Sequence, residues 1–409
     1  MISTSERQTD IIKLISQLDI SPTMYKNADD KYHALAAFLE DCGIDADMYP
    51  HGSFAFGTVV RPSAKDPDAA YDLDFICQLR MNRDQISPSE LRKKIEDALE
   101  SSDRYSSKLT VYEECFTIEY ADINGIKFTI DIVPATDESL QRKQELMRKS
   151  NRPDLLYTAI AIPRHNGERN YSWLTNNPNG FRQWFDDINK PFLSFNREYR
   201  RQEIFKSNRM VFDSVDDIPV GLERSSMQRV IQILKYHRDV YYLNLRREDS
   251  DDLKPISAII NTLVAAISKS ANPQSGIFEL LTYVLGELNI YAQHQTLGTE
   301  DFARRYGSRS IISRSSNDRK WVIQNPADPE DNLADKWNKD SEIPKLFFTW
   351  IAACTKDLVN SLSLPDPQFR SAMDNAFGQT AVQKSWGEKY RSAIPAAKPI
   401  VTQPKPYRR

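Results

Sequence analysis

The stretch His51-Gly52-Ser53-Phe54-Ala55-Phe56-Gly57-Thr58, followed by Tyr71-Asp72-Leu73-Asp74-Phe75-Ile76-Cys77-Gln78-Leu79, decides how this 409-residue chain is read. A Gly-Ser turn that opens a short helix leaves backbone N–H groups free at a positive helix end, which cradles phosphate oxygens. Residues 71 to 79 read as a strand. Period two sets Asp72 and Asp74 on one face, with Leu73 and Phe75 on the other. Two same-face carboxylates beside such a cradle supply hard oxygen ligands for a pair of Mg²⁺ ions and leave positions open for substrate phosphates.

A third carboxylate comes from a predicted hairpin. Phe116 to Tyr120 and Ile126 to Val133 flank a turn containing Asn124-Gly125, a strong hairpin dipeptide. Asp131 interrupts the apolar run from Phe128 to Val133. Buried and unpaired there it would cost several kcal/mol, so a cation or a donor is expected beside it. Taken singly, each feature has a plain structural explanation: a common turn, a solvated edge strand, a strand-end cap. Their order, each on its expected element, points to chemistry.

At Gly52-Ser53, Gly57-Thr58, Asp72-x-Asp74 and Asp131 the chain resembles the polymerase-β-type nucleotidyltransferases. The run Gly57-Thr-Val-Val-Arg-Pro62, a loop, then Tyr71-Asp-Leu-Asp74 is most similar to the bacterial CD-NTases, the cGAS/DncV-like enzymes of CBASS antiphage systems, rather than to CCA-adding or poly(A) enzymes. The loop from Ser63 to Ala70 is somewhat long for that family. The resemblance implies an α/β (α+β) fold: a polymerase-β-like core with a mixed sheet, a C-terminal helical domain and an N-terminal bracing helix. It also implies that a Lys and a Ser at the places of Lys235 and Ser257 hold the donor triphosphate together with the Gly52-Ser53 backbone. Read alone, those two are also what a surface lysine and a first-turn capping serine look like.

The implied reaction is nucleotidyl transfer. A ribose hydroxyl attacks the α-phosphate of an NTP and pyrophosphate leaves, with Asp72, Asp74 and Asp131 as ligands of two Mg²⁺ (or Mn²⁺) ions. Asp131 orients the nucleophile or accepts its proton. The implied product is a cyclic di- or trinucleotide that activates a downstream effector in antiphage signalling, with regulatory proteins of the same operon as further partners. Two rivals stand beside this reading: a template-independent nucleotidyltransferase acting on RNA ends, and an idle fold that senses nucleotide or RNA. The net charge of −3 argues against a stable nucleic-acid complex, which needs a positive surplus. The presence of all three carboxylates argues against idleness.

Bulk properties fit two soluble cytoplasmic domains without a membrane span or a signal-peptide core. Three of the four cysteines (Cys42, Cys77, Cys115, Cys354) sit in apolar runs and read as buried free thiols. The histidines (33, 51, 165, 237 and 294) show no ligand spacing, and His51 reads as packing against the turn. The expected division is residues 1–215 for the core, 216–393 for the helical domain and 394–409 for a Pro-rich tail, with the junction between 205 and 222. The final Lys-Pro-Tyr-Arg-Arg409 lacks the small terminal residue expected of a chain conjugated by ubiquitin-like machinery.

Helices are expected at 4–18, from the Ser21-Pro22 cap to Gly43, and after the Ser87-Pro-Ser-Glu90 capping box, the last packing behind the carboxylate strands. Residues 134 to 219 read as polar and irregular, with Trp173 and Trp184 anchoring a loop. Arg197, Arg200, Arg201, Lys206 and Arg209 form a basic cluster there, read as a solvated helix face or a phosphate path. Beyond Gly221 amphipathic helices are expected around Met227 to Tyr241, Lys254 to Ile267, Ile277 to Tyr291, Ile343 to Leu362 and Pro367 to Phe377.

Overall fold

The computed structural model describes residues 2–17, 19–61, 70–123, 126–167, 170–207, 224–315 and 319–391. Two helices lead the chain, α1 (Thr4–Gln17) and α2 (Pro22–Asp41). The Ser21 hydroxyl accepts from the Met24 N–H, Pro22 fills the first turn, and Gly43 at φ +78° turns the chain away beyond the end. Next come β1 (Ala46–His51), α3 (Gly52–Ala55), β2 (Ala70–Asn82), α4 (Pro88–Glu100), β3 (Leu109–Val111), β4 (Phe116–Ile123) and β5 (Ile126–Asp137). These strands form a mixed sheet in the order β1-β2-β5-β4-β3, in which β2 and β5 run parallel and the other neighbours antiparallel.

Leu73 and Phe75 of β2 bury themselves with Ile130 and Ile132 of β5 against Leu35 and Leu39 of α2 and Leu91, Ile95 and Leu99 of α4. Each such side chain contributes about 2 kcal/mol by leaving water. The complete capping box at Ser87 and Glu90 starts α4. As the alternation predicts, this greasy layer lies behind β2 and leaves Asp72 and Asp74 on the opposite face.

Residues 134 to 207 are more regular than the sequence suggests. They form α5 (Leu140–Lys149), an antiparallel pair β6 (Ile160–His165) and β7 (Tyr171–Asn176) that extends the sheet from β5, and the long helix α6 (Pro178–Ser207). Pro163 lies within β6 and Pro191 inside α6. Trp173 and Trp184 do anchor, but from a strand and a helix rather than from a loop: Arg83 lies over the Trp173 ring, and Trp184 is buried. Arg197, Arg200, Arg201 and Lys206 fall on α6. Arg209, the junction at 208–223, most of the loop after Arg61 and the tail lie outside the described residues.

The helical half begins with α7 (Ser226–Asn244), then α8 (Ser250–Leu253), α9 (Ser257–Ser268), α10 (Ile277–Tyr291) and α11 (Thr299–Tyr306). A two-residue ladder, β8 (Ser313–Arg314) with β9 (Trp321–Val322), precedes α12 (Asp335–Lys339), α13 (Glu342–Cys354), α14 (Asp366–Phe377) and α15 (Gln379–Trp386). α7 is not amphipathic as expected. It is the central post of this half, buried from Ser226 to Arg238. α9 starts three residues later than expected, because Ile256 is extended and the Pro255 carbonyl is taken by Arg238.

Ile11, Leu14 and Ile15 of α1 join the core built on α7, whereas α2 joins the sheet's core, so the N-terminal pair spans both. Cys77 and Cys354 are buried, Cys115 is half-buried and Cys42 exposed; all four are free. Among the described residues no helix is long and apolar enough to cross a membrane.

Candidate active site

The sheet register sets the carboxylates. Asp74 of β2 pairs with Asp131 of β5, and Asp72 pairs with Thr129. On the other side of β5, Thr117 of β4 pairs with Asp131. Register partners present their side chains to the same face, so the three carboxylates share one surface. Thr129 Oγ1 donates to Asp72 Oδ1 at 2.8 Å, and Thr117 Oγ1 donates to Asp131 Oδ1 at 2.6 Å. One oxygen of each of these two is thereby fixed and the other is left for a ligand.

Burial raises the pKa of all three acids, and neighbouring carboxylates add to it at Asp72 and Asp74. Asp74 is pushed furthest, to about 7, by burial first and then by Asp131 and Asp72. Among the described residues no three His, Cys, Asp or Glu side chains are gathered in ion-holding positions. The donor set still fits a divalent cation in kind: hard oxygens crowded on one face, whose mutual repulsion a cation would relieve.

The turn beside them is built on two left-handed glycines. Gly52, at φ +62°, touches Asp74 so closely that a Cβ there would lie 2.0 Å from Asp74 Oδ2. His51 pairs with Asp74 in the β1–β2 register and packs edge-on against Phe56, and burial pushes its imidazole down to about 4. Gly57, also at φ +62°, lies against Gln228; a Cβ there would stand 2.5 Å from Gln228 Nε2.

A ladder on α7 that the sequence reading missed holds this turn. Gln228 Nε2 donates to Phe56 O at 2.8 Å, Gln232 Nε2 to Val59 O at 2.7 Å and Lys235 Nζ to Thr58 O at 3.1 Å. The three lie at i, i+4 and i+7 on one helix face. Two glutamines and a lysine at that spacing, set among Met227, Val230, Ile231, Ile233 and Leu234, were the available signal.

Lys235 is therefore no surface lysine; it is 4 % exposed. Burial, then the charge of Arg238, lowers its pKa to about 8, which keeps it cationic at neutral pH. Ser257 does not act as the N-cap of α9, a position that Ile256 fills without a side-chain bond. Its Oγ instead accepts from Arg238 at 3.2 Å.

Gly52, Ser53, Asp72, Asp74, Lys235 and Ser257 line one cleft of about 1010 Å³ between the sheet and the helical half. Asp131 adjoins it through its pairing with Asp74. The opposite wall is the stretch around Asn325, Asp331 and Asn332, whose role the sequence left open. Asn177 fastens that wall to the core, its Nδ2 donating to Leu155 O and to Ala327 O at 2.9 Å each. Glu330 does so too, bound by Arg142 and Lys149 of α5.

Residues 6–152 match the profile of the Second Messenger Oligonucleotide or Dinucleotide Synthetase domain. A c-di-GMP synthase of Roseivirga ehrenbergii is 21 % identical over 361 residues, which is 86 % of this chain and 79 % of that protein. The chain is also similar to the Bradyrhizobium diazoefficiens CD-NTase CdnG, solved in complex with GTP: TM-score 0.62 and 19 % identity over 92 % of this chain and 97 % of that one. Escherichia coli CdnC, solved in a complex with HORMA-deltaN, gives a TM-score of 0.54 and 14 % identity over 91 % and 97 %. Vibrio cholerae DncV, a cyclic AMP-GMP synthase, gives 0.50 and 16 % over 83 % and 70 %. At these identities the solved structures speak for the fold alone: the chain has the fold of the bacterial CD-NTases, with its polymerase-β-like core, and residues 6–152 carry the likeness to the synthetase domain.

Proposed function

We propose that this enzyme joins two NTPs into a cyclic dinucleotide by successive nucleotidyl transfers, each releasing pyrophosphate. The observation that carries the proposal is the register pairing of Asp74 with Asp131 beside the Gly52 turn, in one cleft with Lys235 and Ser257. The cleft's volume of about 1010 Å³ is at the upper end of the range for ligand pockets, in keeping with two nucleotides. The similarity to a c-di-GMP synthase favours guanine as a substrate base.

In this proposal the first-turn amides at Gly52-Ser53 and the Lys235 ammonium bind the outer phosphates of the donor. The Ser257 hydroxyl gives one more hydrogen bond on the same side. Asp131, held by Thr117, orients the attacking ribose hydroxyl and takes its proton. Asp72, held by Thr129, and Asp74 face the reacting phosphate from β2. Divalent cations, Mg²⁺ here and two in number, would be held by Asp72, Asp74 and Asp131 and would polarise the phosphate oxygens and acidify the hydroxyl. The wall around Asn332 excludes water once the nucleotides are seated.

The product would activate an effector in antiphage defence, and the complex of CdnC with a HORMA protein suggests that a partner protein controls this enzyme too. To test the activity, the purified chain is incubated with four α-³²P-labelled NTPs and Mg²⁺ or Mn²⁺, treated with phosphatase, and its products are resolved. A phosphatase-resistant dinucleotide supports the proposal, and leaving out NTPs one at a time names the bases. Product made only on added RNA would overturn it in favour of an RNA-end nucleotidyltransferase.

A further inference from the structure

Arg238 lies one helical turn beyond Lys235 on α7, is 7 % exposed, and has no part in the chemistry proposed above. Its guanidinium is pinned on three sides. Nε donates to Asp239 Oδ1 at 2.8 Å, and Nη1 donates to Pro255 O at 3.0 Å and to Ser257 Oγ at 3.2 Å. Nη2 stands 2.8 Å from the same Asp239 oxygen.

A guanidinium offers donors only, so Ser257 Oγ is necessarily the acceptor in that contact. A serine hydroxyl has a single proton. With an oxygen lone pair engaged by Arg238, that proton is directed elsewhere, and Ser257 lines the cleft. No protein group among the described residues accepts it. Ser257 is also the first residue of α9, a twelve-residue helix whose N-terminus carries no side-chain cap. Ser257 thus brings a free hydroxyl proton and a positive helix end to the same side of the cleft.

We propose that Arg238 is the positioning residue of the donor triphosphate: by donating to Ser257 Oγ it fixes that hydroxyl as a hydrogen-bond donor to a phosphate oxygen and holds the open end of α9 beside Lys235. The inference rests on reading the cleft as the NTP site. Arg238 does not touch the substrate; it acts through Ser257. A lysine in its place keeps the charge and a donor nitrogen but loses the planar guanidinium that Asp239 holds while Nη1 reaches Pro255 O and Ser257 Oγ.

The test is equilibrium binding of non-hydrolysable GTP and ATP analogues, against GMP and AMP, to the full chain with Mg²⁺. Ser257→Ala and Arg238→Met each weaken triphosphate binding about tenfold, the size of one hydrogen bond to a charged group. They leave monophosphate binding unchanged, and the double variant is no weaker than the worse single. Arg238→Lys recovers part of the loss. Additive losses, equal weakening of the monophosphates, or an unaffected Ser257→Ala would each overturn the inference, and the last holds even if Arg238→Met folds poorly. A wild-type chain that binds no triphosphate would remove the NTP reading as well, whereas normal wild-type binding with unaffected variants removes this inference alone.

Discussion

Asp74 and Asp131 are direct register partners on the parallel strands β2 and β5, two carboxylates side by side, the first lining the cleft and the second adjoining it. Such a pair is a liability without a cation, because each acid charges against the other. The fold accepts that liability because the hydrophobic layer behind β2 and β5 fixes the strands whatever their outer face carries.

A pH dependence of stability follows. Asp74 is raised to about 7 in the folded chain from an ordinary value of 3.8, so the native state binds the extra proton between those values. Where the native state binds more protons than the unfolded one, stability falls as pH rises. Buried His51, held down to about 4, opposes this over the same range, so the readout is a difference: in EDTA the melting temperature of the wild type relative to Asp74→Asn is expected to rise on going from about pH 7.5 to 5. A wild-type melting temperature that does not rise relative to that of Asp74→Asn over this range would contradict this.

Gly52→Ala reads the contact between turn and carboxylate. The new methyl would sit 2.0 Å from Asp74 Oδ2 at a φ of +62°, so either the turn or the carboxylate must move. Strain at a left-handed position costs about 1–2 kcal/mol in stability, and an ångström of misplacement costs about 10²-fold in rate. Thermal melts and initial rates of pyrophosphate release measure the two separately.

Thr117→Val removes the hydroxyl that steadies Asp131 while keeping shape. Loss of such a supporting hydrogen bond is expected to lower kcat about 10–100-fold. KM for NTP should change less than kcat, since Thr117 holds Asp131 and not the Gly52 turn, Lys235 or Ser257. Steady-state kinetics with NTP and Mg²⁺ give both numbers.

On the proposed function, Lys235 is expected to set the alkaline limb. With its pKa lowered to about 8 by burial and by Arg238, the free enzyme loses that charge as pH rises past 8. The pH profile of kcat/KM should fall above this point, and Lys235→Met should be low and flat across it.

Much of this was legible in the sequence because it is local. The Ser21 and Ser87 caps, the alternation of Asp72, Leu73, Asp74 and Phe75, and the lone Asp131 in an apolar run are decided within a few residues. The glutamine ladder was not, since Gln228 and Gln232 acquire meaning only when the carbonyls of Phe56 and Val59 arrive from 172 and 173 positions away. β6 and α6 were not, since they contain Pro163 and Pro191, whose local preference against a strand or helix interior the surrounding packing overrides. Asn177, a turn former by composition, proves to be a buried clasp on the cleft's far wall.

The most direct measurement of the central claim is product formation by the Asp72→Asn, Asp74→Asn double variant, followed together with its melting temperature. The account predicts a folded protein, at least as stable as the wild type at pH 7.5 because two repelling charges are gone, whose NTP turnover drops by about 10³-fold or more. A folded double variant that still makes product at near the wild-type rate would contradict the assignment of the reaction to this face of the sheet.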